Sequence, residues 1–220
     1  MNYLAHGFAF TDEPTFLAGT ALPDWLSVVD RRVRVRQEQV QAWVEDAHEP
    51  TAALARGIVQ HHRDDLWFHD HPVFIDLCAQ LTVRVRSGAP EKGRFRPGFA
   101  AHVLTELLLD SALMENDGTL LDRYYEALGH VDLSWITSSV SRFAGRSAEK
   151  LSPFIQFFLE ERFLEDYLRD AKICTRLNQV LRRAGLAELS ASFAELLPEL
   201  RRIVYPKCFR ILPRTHPTPD

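Results

Sequence analysis

The chain shows helical spacing of apolar residues almost throughout, and strand-like alternation is rare. Only two short segments alternate as strands do, RRVRVR at 31–36 and TVRVR at 82–86. Glycine and proline divide the remainder into pieces of helical length. The predicted helices span 3–10, 14–30, 38–46, 51–70, 72–87, 98–114, 118–128, 131–143, 151–169, 170–184 and 188–204. The pattern predicts a single all-α domain over residues 1–210 and a loose proline-rich tail over 211–220.

The composition narrows the class of protein. The 220 residues are 46% hydrophobic and 25% charged, as in ordinary globular domains, with a formal net charge of −4. The molecule as a whole therefore lacks the excess of positive charge that is typical of nucleic-acid-binding proteins, and we expect no nucleic-acid partner. Cys78, Cys174 and Cys208 are widely separated, which predicts reduced thiols in a cytoplasmic protein. We expect no signal peptide and no membrane partner, because charges interrupt the apolar stretches.

The segment HHRDDLWFHDHP at 61–72 contains four histidines and three aspartates. Imidazole and carboxylate groups are the ligands of divalent metals such as manganese, iron and zinc. Because the segment continues a helical run, it indicates metal-dependent chemistry within a folded region.

Two residues of this segment continue an apolar stripe on helix 51–70. Leu54 and Ile58 are followed on the same face by His61 and Asp65, which lie one turn apart and can converge on one point. The alternative is that His61 and Asp65 pair with each other or cap a loop. A neighbouring stripe contains Ala55, Val59, His62, Leu66 and His69, and the expected solvent face contains Arg56, Gln60, Arg63, Asp64 and Asp70.

Helix 98–114 carries polar residues in an otherwise nearly apolar sequence. His102, Glu106 and Asp110 recur at helical spacing. They could form a solvent-facing stripe, but a helix that is apolar on all sides is normally central, and its polar groups then need partners inside the protein. We therefore favour a site that includes His102 and Glu106.

Two further residues are weaker candidates. Asp24 follows Pro23 in GTALPDWL and is a third candidate ligand, although it could equally cap a helix or form a turn. His6, on the short first helix, has a core or capping role as its alternative. Other chemistries lack support, since the chain has no glycine-rich phosphate loop, no GxSxG and no HExxH.

The segments MNYLAH, GTALPDWL and GIVQHHRDDLWFHDHP resemble the acyl carrier protein phosphodiesterases, which begin MNFLAH and continue with GNxLxDF and GIxxHRxIDxxTDxxP. The match places His6, Asp24, His61 and Asp65 on residues of the family motifs. The segment ERFLEDYLRDAKICTRLNQVL at 161–181 is similar to the family's later WLxxY helix, so the resemblance extends over most of the chain.

The resemblance implies an all-α fold related to the HD-domain phosphohydrolases. It also implies a manganese-dependent enzyme that releases 4′-phosphopantetheine from acyl carrier protein by hydrolysis of a phosphodiester. Acyl carrier protein is therefore a candidate partner, and a phosphodiester is the expected substrate.

The chain departs from the family pattern where the family has DVxxDHF and this chain has HVLTELL at 102–108. His102 and Glu106 stand in place of the two aspartates, and Leu107 stands in place of the histidine. His62 replaces the arginine of HR, and His69 replaces the aspartate of TD. The added histidines favour nitrogen-preferring ions, namely manganese, iron or zinc.

We interpret the chain as a metal-dependent phosphodiesterase. Asp24, His61, Asp65, His102 and Glu106 are predicted to hold one or two metal ions. In addition, His69 or His6 would donate a proton to the leaving oxygen or a hydrogen bond to the phosphate. Two alternatives stay open: a non-catalytic binding protein on the same scaffold, suggested by Leu107, and a zinc hydrolase like phospholipase C or a nuclease. The sequence does not predict the oligomeric state.

Overall fold

The computed structural model describes residues 1–88 and 93–212, and the all-α prediction is confirmed there. No residue in these two ranges belongs to a strand. The α-helices of the described ranges are α1 Tyr3–Gly7, α2 Pro14–Val29, α3 Gln37–Val40, α4 Glu49–His69, α5 Pro72–Ser87, α6 Pro97–Asn116, α7 Leu120–Gly129, α8 Leu133–Ala144, α9 Leu151–Glu161, α10 Asp170–Arg183, α11 Leu197–Val204 and α12 Cys208–Ile211. Short 3₁₀ segments lie at Gln41–Trp43, Phe163–Leu168, Ala191–Leu196 and Tyr205–Lys207.

The largest differences from the predicted helices lie in the second half of the chain. The helix predicted over 151–169 is interrupted by Arg162, whose left-handed backbone (φ 45°) ends α9. The helix predicted over 188–204 begins as a 3₁₀ segment, and α11 starts only at Leu197. Of the two strand-like segments, 82–86 lies within α5 and 31–36 lies outside the helices. The predicted tail, apart from Ile211 and Leu212, lies outside the described residues.

Proline and capping residues start several helices where the sequence predicts. Pro14, Pro72 and Pro97 each occupy the beginning of a helix, where the missing N–H costs no intrahelical hydrogen bond. The Asp132 carboxylate caps α8 by accepting from two backbone amides, and Gly145 ends that helix in the left-handed region (φ 59°).

The chain divides into two compact units, Met1–Trp67 with Thr119–Arg162 and Phe68–Gly118 with Phe163–Asp220, so each unit is built from two separate stretches. The boundary between Trp67 and Phe68 falls within α4. The prediction of a single domain over 1–210 stays a prediction.

The first unit has an aromatic core. The Phe158 ring of α9 packs against Tyr3 at the start of α1, against Trp25 of α2 and against Tyr125 of α7, with centroid distances of 5.2–5.4 Å. The Trp25 and Phe158 side chains are fully buried. This packing fixes α1, which carries His6, against the longer helices of the unit.

The second unit is centred on the packed pair α5 and α6. The guanidinium group of Arg201, which is 14% exposed, joins α6, α10 and α11. It donates to Asp170 Oδ1 (2.7 Å), Ser111 Oγ (2.6 Å), the Tyr167 carbonyl oxygen (2.8 Å) and the Tyr205 hydroxyl. All these acceptors belong to the same unit, so Arg201 is a structural residue of its core.

Two further expectations concern cysteines and membrane helices. All three cysteines are free thiols, and burial raises the pKa of Cys78 to about 11 and that of Cys208 to about 12. Within 1–88 and 93–212, no helix combines the length and the apolar character needed to cross a bilayer.

Candidate metal centres

The first cluster consists of His6, His61 and Asp65, and it lies within the first unit. His6 is on α1, whereas His61 and Asp65 lie one turn apart on α4. One ligand atom from each residue lies within 4.8 Å of the others. Both histidines are buried and the Asp65 side chain is 35% exposed, so the carboxylate connects the cluster with solvent.

A close approach of α2 and α4 positions His61. A Cβ atom on Gly19 would lie 2.9 Å from the Gly57 Cα, and one on Gly57 would lie 2.2 Å from the Phe16 carbonyl oxygen. Only glycine permits backbones to come this close. Thr20 follows Gly19, and its carbonyl oxygen therefore lies 2.8 Å from His61 Nδ1.

Hydrogen bonds hold the Nδ1 atom of each histidine, and both Nε2 atoms face Asp65. His61 Nδ1 donates to the Thr20 carbonyl, so the lone pair of the neutral ring is on Nε2. His6 Nδ1 lies 3.4 Å from Asp64 Oδ2, which favours the same tautomer. The Nε2 atoms face the two oxygens of Asp65, at 3.4 Å from His6 to Oδ1 and 3.6 Å from His61 to Oδ2. Carbonyl and carboxylate partners of this kind orient metal-binding histidines.

The prediction that Asp64 lies on the solvent face is wrong. Its side chain is fully buried, and Oδ1 accepts from Gln60 Nε2 (2.7 Å) and Trp67 Nε1 (3.3 Å) while Oδ2 contacts His6. The helical pattern missed this role because α1 covers that side of α4. Leu66, on the neighbouring stripe, is 70% exposed.

The charges of His61 and Asp65 suit a cation, whereas those of His6 and the Met1 amino group do not. Burial, with the neighbouring His6, lowers the pKa of His61 well below its ordinary value, so its ring is neutral and able to ligate. Burial would raise the pKa of Asp65, but the hydrogen bond with His6 and the Met1 amino group, 2.6 Å from Oδ1, hold it well below its usual range. Burial lowers the pKa of His6, and hydrogen bonds to Asp64 and Asp65 more than reverse this.

Asp24 lies within α2 rather than at its end, and its side chain is half-buried. The negative charge of Asp24 is a further influence that raises the pKa of His6, against the lowering effect of burial. Its ligand atoms are nevertheless not part of the group within 4.8 Å. The structure thus places Asp24 where it acts on the first cluster through charge.

The second cluster consists of His69, His102 and Glu106, and it lies within the second unit. His69 ends α4 and the other two lie one turn apart on α6, and their ligand atoms are again within 4.8 Å of one another. The Nε2 atoms of His69 and His102 lie 3.3 and 3.2 Å from Glu106 Oε1. The Phe74 ring packs edge-on against His102 at 5.1 Å.

The second cluster is more accessible than the first. The side chains of His69 and His102 are 37% and 40% exposed, whereas Glu106 is 15% exposed. Burial would raise the pKa of Glu106, but the hydrogen bonds from His102 and His69, with the charge of His102, act to lower it, and the pKa lies below its ordinary value. Glu106 is therefore an ionised carboxylate with two imidazoles beside it.

The structure divides four of the five predicted ligands between two groups, and Asp24 belongs to neither. His61 and Asp65 join His6 in the first cluster, while His102 and Glu106 join His69 in the second. His6 and His69 were predicted as proton or hydrogen-bond donors, and the structure places them where they could act as ligands instead. The sequence could not assign them, because each comes from a different helix than its two partners.

Each cluster offers two imidazoles and one carboxylate. This donor set is typical of zinc sites with three protein ligands and of non-haem iron sites, and both types keep coordination positions open for water or substrate. In the first cluster the held Nδ1 atoms and the ionised Asp65 fit a divalent ion well. The residues present therefore fit a divalent metal ion, without distinguishing which one.

Comparisons of the chain with protein-family models, with curated proteins and with solved structures gave no match. The resemblance to the acyl carrier protein phosphodiesterases accordingly depends on the sequence motifs alone.

Proposed function

We propose that the protein is a metal-dependent phosphohydrolase that cleaves a phosphodiester. The observation that carries the proposal is the orientation of His6 and His61. Both histidines present Nε2 to Asp65. On the opposite side of each ring, His6 Nδ1 contacts Asp64 and His61 Nδ1 donates to the Thr20 carbonyl oxygen. A histidine with a purely structural role would also have hydrogen-bond partners. Here, however, two imidazole rings face the two oxygens of one carboxylate, and this arrangement provides three metal ligands that are already in place.

His6, His61 and Asp65 would hold the first ion, and His69, His102 and Glu106 a second. A bound divalent ion would supply Lewis acidity, which lowers the pKa of a water molecule and neutralises charge on phosphoryl oxygens. Asp64 and the Thr20 carbonyl keep the rings of the first cluster in place. The half-exposed rings of His69 and His102 can reach a substrate from solvent.

The finer proposal follows the sequence motifs. It comprises an HD-domain-like architecture, manganese as the metal, with iron or zinc as alternatives, and release of 4′-phosphopantetheine from acyl carrier protein. The replacement of the family histidine by Leu107 makes the substrate the part of the proposal that most needs an assay.

Metal content tests the site directly. Protein purified without a His tag and supplied with manganese or zinc is expected to contain stoichiometric metal, and His61→Ala and Asp65→Ala are each expected to lose the ion of the first cluster. Asp70→Ala is the matched control, because Asp70 lies in the same segment but is exposed and outside both clusters. Absence of metal in the supplied wild-type protein would refute the proposal.

Asp64→Asn tests the orientation of His6 separately. Loss of this supporting carboxylate should weaken metal affinity by about 10–100-fold while the three ligands remain. Hydrolysis of a chromogenic phosphodiester and of holo-acyl carrier protein then distinguishes the functions. Bound metal without hydrolysis would favour a binding protein, and activity with zinc alone would favour a zinc hydrolase.

A further inference from the structure

A cavity of about 500 Å³ lies in the first unit, between the end of α2, the segment 31–36 and α4. Its apolar wall includes Pro23 and Leu26 of α2 together with Val33. This volume is in the range that holds small organic ligands.

The segment 31–36 is fixed in place without being part of a helix. Val33 and Val35 are buried, with 2% and 3% exposure, and anchor the segment. His62 Nε2 donates to the Val35 carbonyl oxygen (2.7 Å) and ties it to α4. Arg34 and Arg36 alternate with the two valines and remain exposed at the cavity. The alternating pattern that resembles a strand in the sequence therefore serves to present arginines.

Three arginines, Arg31, Arg34 and Arg36, are among the residues that line the cavity, and its lining contains no acidic residue. Among the described residues, no carboxylate lies within ion-pair distance of these three arginines. The adjacent Arg32 differs, because its Nη2 atom is paired with Asp30 Oδ2 at 2.9 Å and it lies outside the cavity.

Like charges collected around one cavity repel each other, and a bound anion relieves that repulsion. The planar guanidinium group donates in pairs to phosphate oxygens. The apolar wall indicates that the anion belongs to a larger molecule, since a free inorganic ion would gain nothing from it. The cavity also adjoins the first cluster, because His62 follows His61 and their ring centroids are 5.5 Å apart.

We propose that this cavity binds an organic phosphate, with the phosphate group on Arg31, Arg34 and Arg36 and an apolar part of the same molecule against Pro23, Leu26 and Val33. Binding needs no metal, so the inference does not depend on the proposed hydrolase function.

Calorimetric titration of metal-free full-length protein tests this proposal, with hexyl phosphate, adenosine monophosphate and inorganic phosphate as probes. At least one organic phosphate should bind saturably and more tightly than inorganic phosphate. The tighter of the two organic probes shows whether the apolar wall accepts an alkyl chain or a nucleoside. Absence of saturable binding by both up to millimolar concentration overturns the proposal, and so does equally tight binding of inorganic phosphate.

Substitutions then locate the site. Arg34→Gln and Arg36→Gln should each weaken binding about tenfold or more, because each removes charge-assisted hydrogen bonds. Arg32→Gln, the matched control on the same segment, should leave the affinity unchanged. All three side chains are exposed, and unchanged thermal unfolding confirms that the variants are folded. Equal weakening by Arg32→Gln, or none by Arg34→Gln and Arg36→Gln, would contradict the assignment.

Discussion

Replacement of Gly57 by alanine tests the contact between α2 and α4 on which the first cluster depends. The added Cβ would lie 2.2 Å from the Phe16 carbonyl oxygen, and an ordinary contact is at least 3.4 Å. The helices must therefore separate by about 1.2 Å along this direction. A shift of that size would lengthen the hydrogen bond of 2.8 Å between His61 Nδ1 and the Thr20 carbonyl beyond the normal range.

Three contributions set the expected change in the free energy of unfolding. Overpacking costs about 1–3 kcal/mol. Loss of the partner of a buried polar group costs about 1–3 kcal/mol. Alanine has a higher helix propensity than glycine, which raises the free energy of unfolding by about 1 kcal/mol. The net expectation is a destabilisation of about 3 kcal/mol, which for a chain of this size lowers the unfolding midpoint by about 6–12 °C.

Thermal unfolding followed by circular dichroism measures this effect. Gly129→Ala is the matched control in the same unit, because no atom lies within 4 Å of the added Cβ, and its midpoint should be unchanged or slightly higher. A Gly57→Ala midpoint equal to or above that of the wild-type protein would show that the helices do not approach as described. The reasoning about the position of Thr20 would then fail with it.

Three other predictions concern pH, thiols and the second unit. Because burial lowers the pKa of His61 below 6.5, the unfolded chain binds a proton there that the folded metal-free protein does not. Stability should therefore fall as the pH drops below 6.5, and His61→Gln should reduce this slope in urea titrations at several pH values. Burial raises the pKa of Cys78 to about 11 and that of Cys208 to about 12. In the folded protein at pH 8, both thiols should therefore react with iodoacetamide on the order of a hundredfold more slowly than in the protein unfolded by denaturant. Equal rates in the two states would contradict their burial. Arg201→Met should lose about 2–3 kcal/mol of stability, whereas the exposed Arg202→Met should change it little; equal effects would refute the core role of Arg201.

The fold class and most helices were predictable because apolar spacing, prolines and capping residues agree along the chain. The interruption of α9 was not, since Arg162 adopts a left-handed conformation in which glycine is the expected residue. The 3₁₀ start of the region before α11 likewise has no distinctive sequence signal.

The candidate site was predictable only where both residues lie on one helix. The pairs His61 with Asp65 and His102 with Glu106 follow from helical spacing. The residues that complete each group, His6 and His69, come from other helices and required the three-dimensional structure. The burial of Asp64 was missed for a related reason. The apolar pattern of α4 indicates one buried face, but other parts of the first unit cover the helix on more than one side.

The division of each unit into two stretches has a consequence for biosynthesis. His6, His61 and Asp65 are all made within the first 65 residues, yet Phe158, which fixes α1 through Tyr3, comes much later. At about 5–20 residues per second, on the order of ten seconds separate Asp65 from Phe158 during translation. The nascent chain thus carries these three residues for a long interval before the packing that buries the two histidines is complete.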